Sequence, residues 1–151
     1  MEYIVNSADE MVLFGIKLGF LLHGGETIEL IGDVGAGKTT FTKGIAKGLA
    51  VDEDVQSPTF TISRVYNARD NLRLVHYDFY RLTDAGILND ELHESIADPF
   101  VITVLEWASI VSGALQADIL SIKIVSPDET TRRITIEAKG SIAQSLMEKL
   151  Q

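Results

Sequence analysis

Apolar positions along the chain recur at two spacings, and the switches between them mark out its elements. Met11, Phe14, Leu18 and Leu21 fall at three- and four-residue intervals, which places them on one face of a helix. Ser7-Ala8-Asp9-Glu10 in front of them has the spacing of a capping box, with Ser7 as cap and Glu10 reaching back, and Gly24-Gly25 stop the helix. "TIELI" (Thr27 to Ile31) then reads as a short β-branched strand, followed by a glycine-rich turn and a helix from about Lys38 to Leu49. Pro58 pushes Ser57 out of helical space, so "TFTISRVY" (Thr59 to Tyr66) is expected as a strand. The turn residues Asn67 to Asn71 join it as a hairpin to "LRLVHYD" (Leu72 to Asp78).

Beyond the hairpin the pattern predicts a helix over Ile87 to Ala97 and a strand at "VITVLE" (Val101 to Glu106). The nearly unbroken apolar run of that strand suits burial on both faces. A short helix is expected after Trp107, strands over Ile119 to Val125 and Arg133 to Ala138 around "SPDETT", and a last helix from Ser141. Strands alternating with helices define an α/β protein with a three-layer sandwich. The sheet is expected to be mixed and mostly parallel, because the middle hairpin must be antiparallel. With 151 residues, 46% of them hydrophobic, and no repeat or linker, one domain spanning 1–151 is expected.

Charge narrows the partners. A formal net charge of −9 disfavours a broad grip on a phosphate backbone by this chain alone, so any nucleic acid is expected to be held by another protein. No apolar run approaches the roughly 18 residues of a membrane span, and Glu2, Asp9 and Glu10 stand where a signal peptide would be basic. A cytoplasmic protein is expected. The absence of cysteine removes disulfide, thiolate-metal and thiol-nucleophile chemistry.

The glycine-rich turn carries the strongest chemical signal. Gly32-Asp33-Val34-Gly35-Ala36-Gly37-Lys38-Thr39 matches G-x-x-x-x-G-K-[ST] in full, in the strand–helix setting that a phosphate loop needs. Its backbone N–H groups and the following helix N-terminus favour anionic phosphates. Asp33, Gly35, Ala36, Gly37, Lys38, Thr39 and Thr40 are the candidate nucleotide contacts, with Lys38 for the β- and γ-phosphates and the Thr39 hydroxyl for Mg²⁺. Kinases, GTPases and motor ATPases share this loop, so it does not fix the reaction.

Magnesium and an attacking water need acids at strand ends. Glu106 and Asp78 both close strands, and position alone favours Glu106 for the metal. Either could also be a solvated or ion-paired acid. Thr59 could sense the γ-phosphate or merely begin a strand, and Trp107 could stack on a base or pack a core edge. His23, His76 and His93 lack metal-ligand spacing. A small-molecule kinase would need a lid with phosphate-facing arginines, whereas Arg64, Arg69, Arg73 and Arg81 are scattered. A GTPase lacks its N-K-x-D motif here. A non-catalytic nucleotide-dependent interaction module remains as a reading that would tolerate loss of Glu106 or Asp78.

"GDVGAGKTTF", "SPTFT", "HYDFYRL" and "LEW", in this order and at these separations, resemble the TsaE family over roughly residues 5 to 140. The resemblance implies a P-loop NTPase fold and an ATPase using ATP and Mg²⁺. It also implies work with the proteins TsaD and TsaB in forming N6-threonylcarbamoyladenosine beside the anticodon of tRNA, which this chain would meet only through the complex. By motif match it gives Lys38 and Thr39 the phosphate and metal roles and Thr59 a switch-like role. Asp78 takes a Walker-B-like role, Glu106 a magnesium or catalytic role, and Trp107 a place beside the nucleotide. The family often places a glycine in the helical segment after its "YRL" motif, and "GILNDELHES" (Gly86 to Ser95) has none past Gly86.

Overall fold

The computed structural model describes residues 1–84, 86, 88–111 and 118–151. Its elements, in chain order, are β1 (Glu2–Val5), α1 (Ala8–Leu21), β2 (Thr27–Ile31), α2 (Lys38–Gly48), β3 (Ser63–Asn67), β4 (Arg73–Asp78), α3 (Leu88–Ala97), β5 (Val101–Glu106), β6 (Ile119–Val125), β7 (Arg132–Lys139) and α4 (Ser141–Leu150). Short 3-10 turns cover Arg69–Asn71 and Ala108–Val111, the latter being the short helix expected after Trp107. The strands form one sheet in the order β1-β7-β6-β2-β5-β4-β3. Its centre, β6-β2-β5-β4, is parallel, and β3, β7 and β1 add antiparallel edges. This is the mixed sheet expected, with the parallel pairings concentrated around β2.

Helices cover both faces. Ile28, Leu30, Leu74, Ile102, Val104 and Ile122 point to one side, where they pack with Leu18, Phe41, Ile45 and Leu146 from α1, α2 and α4. The residues between them on β4 and β5, Val75, Tyr77, Val101 and Leu105, point to the other side and pack with Leu92 of α3 and with Val111. Period-two alternation thus splits two strands between two interiors. Burial of both faces is why "VITVLE" contains so few polar residues.

Helix α2, which follows the phosphate loop, is held against the sheet by α1. The two helices meet through glycines spaced four apart: Gly15 and Gly19 on one, Gly44 and Gly48 on the other. A Cβ built at Gly15 would lie 2.8 Å from Gly44 Cα, and one at Gly48 the same distance from Gly19 Cα. No larger residue lets the backbones approach this closely. The apolar spacing that predicts α1 gives no sign of this seam.

Local signals held in part. Ser7 Oγ accepts from Glu10 N–H at 3.1 Å, but the Glu10 carboxylate accepts from Asn6 N–H at 2.7 Å, one residue earlier than the reciprocal box requires. The strand expected from Thr59 begins only at Ser63. The Pro58 carbonyl instead accepts from both Thr61 and Ile62 N–H groups, and Ile62 takes a left-handed φ of 70°, so Thr59 to Ile62 form a turn. β-Branched composition lost there to the turn that proline starts. Strand β1 was not expected, since four residues at the start of the chain are too few to show a period. Helix α3 begins at Leu88; Ile87, where it was expected to start, lies outside the described residues. No helix among the described residues is long and apolar enough to cross a membrane.

Candidate nucleotide site

The phosphate loop crosses from β2 to α2 at the carboxyl edge of the parallel strands. Gly35 and Gly37 have φ of 81° and 113°, a region in which side chains with a Cβ are strained. Helix α2 has no side-chain cap at its start. Its first N–H groups therefore remain available to an anion. Outside the loop, Arg132 of β7 donates from Nε to the Ala36 carbonyl at 2.9 Å and from an Nη to the Asp128, Glu129 and Thr131 carbonyls. This ties the loop to the β6–β7 turn.

Lys38 is buried and folded back on its own loop. Its ammonium donates to the Gly32 carbonyl and, at 3.3 Å, to that of Asp33, and it sits 4.5 Å from the centroid of the Trp107 ring. The Trp107 ring in turn packs against Tyr80 at 4.9 Å, and its residue adopts φ 56° immediately after β5. Trp107 is therefore beside the loop lysine, neither in the main core nor free in solvent.

Strands β4 and β5 run parallel in a register that sets Asp78 beside Glu106. Both carboxylates are buried, about 3% exposed, at the mouth of the sheet. Asp78 Oδ1 accepts from Tyr80 N–H at 2.9 Å and Oδ2 from the Thr59 hydroxyl at 2.8 Å. Thr59 also lies 2.8 Å from Ser57 Oγ. The turn after Pro58 thus presents Thr59 to Asp78, which a strand beginning at Thr59 would not have required. Glu106 Oε1 is 3.0 Å from His76 Nε2.

Gly35, Gly37, Lys38, Thr39, Thr40, Thr59, Asp78, Glu106 and Trp107 line one cavity of about 330 Å³, together with Ser57 and Tyr80. Asp33 and Ala36 lie off that wall. They line a neighbouring cavity of about 620 Å³ on the outer side of the loop, which shares Val34, Gly35 and Trp107 with the first and reaches Glu29, Lys123 and Ser126. The smaller cavity is the one at the N–H groups that open α2 and at both acids. Ser57, His76 and Tyr80 stand within "SPTFT" and "HYDFYRL" but received no role from the sequence, and Arg132 carried no signal. His76 also falls two residues before Asp78, on the same face of one strand.

No group of three His, Cys, Asp or Glu gathers among the described residues. Magnesium does not need one: it binds through one or two carboxylates with hydroxyls, waters and substrate phosphates. A donor set of the Thr39 hydroxyl and Glu106 fits that habit.

The loop, the parallel centre of the sheet and the acids at its edge define a protein of P-loop NTPase architecture. The family model described as "Threonylcarbamoyl adenosine biosynthesis protein TsaE" matches residues 5–134. A tRNA threonylcarbamoyladenosine biosynthesis protein TsaE of Bacillus subtilis is 39% identical over 129 residues, covering 83% of this chain and 78% of that one. Its namesake from Treponema pallidum is 34% identical over 136 residues, covering 90% and 99%. The crystal structure of YdiB from Bacillus subtilis superposes with a TM-score of 0.82 at 32% identity, over 99% of this chain and 93% of that one. The chain belongs to the TsaE family.

Proposed function

We propose that this chain is an ATPase that binds ATP with Mg²⁺ and uses its hydrolysis to support TsaB and TsaD in forming N6-threonylcarbamoyladenosine next to the anticodon of tRNA. The observation that carries this reading is the convergence of Lys38, Thr39, Thr59, Asp78 and Glu106 on one cavity at the start of α2. The names of the relatives, which assign them to the biosynthesis of that nucleoside in tRNA, support the pathway.

In this reading the loop N–H groups and Lys38 bind the β- and γ-phosphates. To do so Lys38 exchanges its bonds to the Gly32 and Asp33 carbonyls for phosphate oxygens. The Thr39 hydroxyl and Glu106 would hold Mg²⁺, which would supply positive charge to the phosphate oxygens. Asp78, in the Walker-B-like place, orients the attacking water or the ion's hydration shell. Its oxygens accept from the Thr59 hydroxyl and the Tyr80 N–H and keep further lone pairs for water, so Thr59 orients Asp78 without blocking it. A nucleotide-dependent change in the Thr59 bond would link the Ser57–Thr59 turn to any partner that touches the turn. Hydrolysis by the chain alone is then slow, with partners completing the site.

The acidic chain leaves tRNA to its partners. The reading is tested by depleting the protein from cells and measuring threonylcarbamoyladenosine in tRNA after rescue with wild type or Lys38→Ala. A fall that only the wild type restores supports it; an unchanged level overturns the pathway assignment. Purified Lys38→Ala should also bind ATP about 10- to 100-fold more weakly, the worth of a charge-assisted hydrogen bond.

A further inference from the structure

His76 lies on the α2 side of β4, fully buried, in register with Val104 of β5 and Arg64 of β3. Its Nε2 meets Glu106 Oε1 at 3.0 Å, while Nδ1 has no hydrogen-bonding partner among the described residues. Burying an imidazole with half its polar capacity unused costs free energy that an aliphatic side chain at the same point would not. Packing alone therefore does not explain this residue. The need of Glu106 does. A buried carboxylate requires a donor, and among the described residues the one hydrogen bond to the Glu106 side chain involves His76.

The geometry also selects the tautomer. A carboxylate can only accept, so a single ring proton on Nε2 makes the bond and leaves Nδ1 with an unused lone pair. A single proton on Nδ1 would strand an N–H group and set two acceptors 3.0 Å apart. We propose that His76 is a positioning residue for Glu106: it holds Oε1 and so presents Oε2 to the cavity where metal or water is to be bound. This rests on the role given to Glu106 above. Groups that orient a metal ligand from behind typically affect metal affinity or activity about 10- to 100-fold when lost.

The test compares His76→Leu, His76→Gln, Glu106→Gln and the His76→Leu/Glu106→Gln double variant. His76→Leu is expected to lower ATP turnover and raise the Mg²⁺ concentration for half-maximal turnover by about 10- to 100-fold. Its affinity for ATP without Mg²⁺ should match wild type. His76→Gln, which keeps an N–H donor, should recover much of the loss, and in the Glu106→Gln background His76→Leu should add nothing. Wild-type turnover and Mg²⁺ demand in a folded His76→Leu protein would overturn the proposal, as would independent, multiplying losses in the double variant. A second readout needs no ATP. Chemical unfolding of His76→Leu should show a destabilisation that disappears in a Glu106→Leu background if the imidazole serves the carboxylate, and that persists if it serves packing. A wild-type chain that binds no ATP would defeat the function proposed above, and the unfolding comparison would still decide whether His76 serves Glu106.

Discussion

Strands β4 and β5 carry an apolar cluster toward α3 and, at their carboxyl ends toward α2, a polar group set at the edge of the main apolar core. Toward α3 they present Val75, Tyr77, Val101 and Leu105, an apolar cluster closed by Leu92 and Val111. Toward α2, at the carboxyl end, the alternate positions carry His76, Asp78 and Glu106, buried and polar. Successive residues of one strand thus do different work. The apolar side gains free energy from removing surface from water, about 25 cal/mol per Å². The polar side recovers little of its desolvation cost, which in the proposed function is offset by binding a ligand. A parallel strand buried on both faces can keep the two apart because its side chains alternate strictly.

The comparison breaks most clearly with neighbouring substitutions on β5. Leu105→Ala should cost about 2–5 kcal/mol in equilibrium unfolding and leave the ATP affinity of the folded protein unchanged. A shift in affinity would mean that the interiors are not independent. Glu106→Gln, one residue along, should lower turnover about 10²–10³-fold, equivalent to roughly 2.7–4 kcal/mol of transition-state stabilisation, while ATP still binds. Steady-state turnover and nucleotide titration on one preparation decide it, and unchanged turnover removes Glu106 from the chemistry.

Smaller effects sharpen the contrast. Gly44→Ala at the α1–α2 seam should cost about 1–3 kcal/mol in unfolding, because the new methyl meets the backbone of α1 and not a yielding side chain. Wild-type stability would show that the helices can separate at no cost. On the apolar side, burial, followed by the nearby charge of Glu91, pushes the Tyr77 hydroxyl from its ordinary 10.0 up to about 12. The folded chain then keeps this proton while the unfolded chain loses it. The Tyr77 contribution to stability is intact below pH 10 and lost as pH rises toward about 12. Unfolding of wild type and Tyr77→Phe across that window should converge as pH increases. A constant difference would mean that the hydroxyl titrates as it does in water.

The phosphate loop and the order of strands and helices could be read from the chain because each is written in adjacent residues. Gly32 to Thr39 fix backbone shape and charge within one turn. β-Branched runs and three-to-four spacing fix β2, β5, α1 and α2. The Thr59 turn was misread because β-branched composition spoke for a strand while Pro58 set the hydrogen bonds of a turn. Strand β1 and the glycine seam were missed because each acquires meaning only from the surface it meets.

Sequence alone, then, determined most of the elements, the phosphate loop and the presence of acids at two strand ends, all short-range properties of backbone sterics and side-chain periodicity. Tertiary structure decided that Asp78 stands beside Glu106, that Thr59 closes on Asp78, and that His76 lies behind Glu106. Those facts depend on strand order and register, which are set by how the helices cover the sheet. A shift of one residue between β4 and β5 would leave Asp78 and Glu106 on opposite faces while leaving the sequence pattern unchanged.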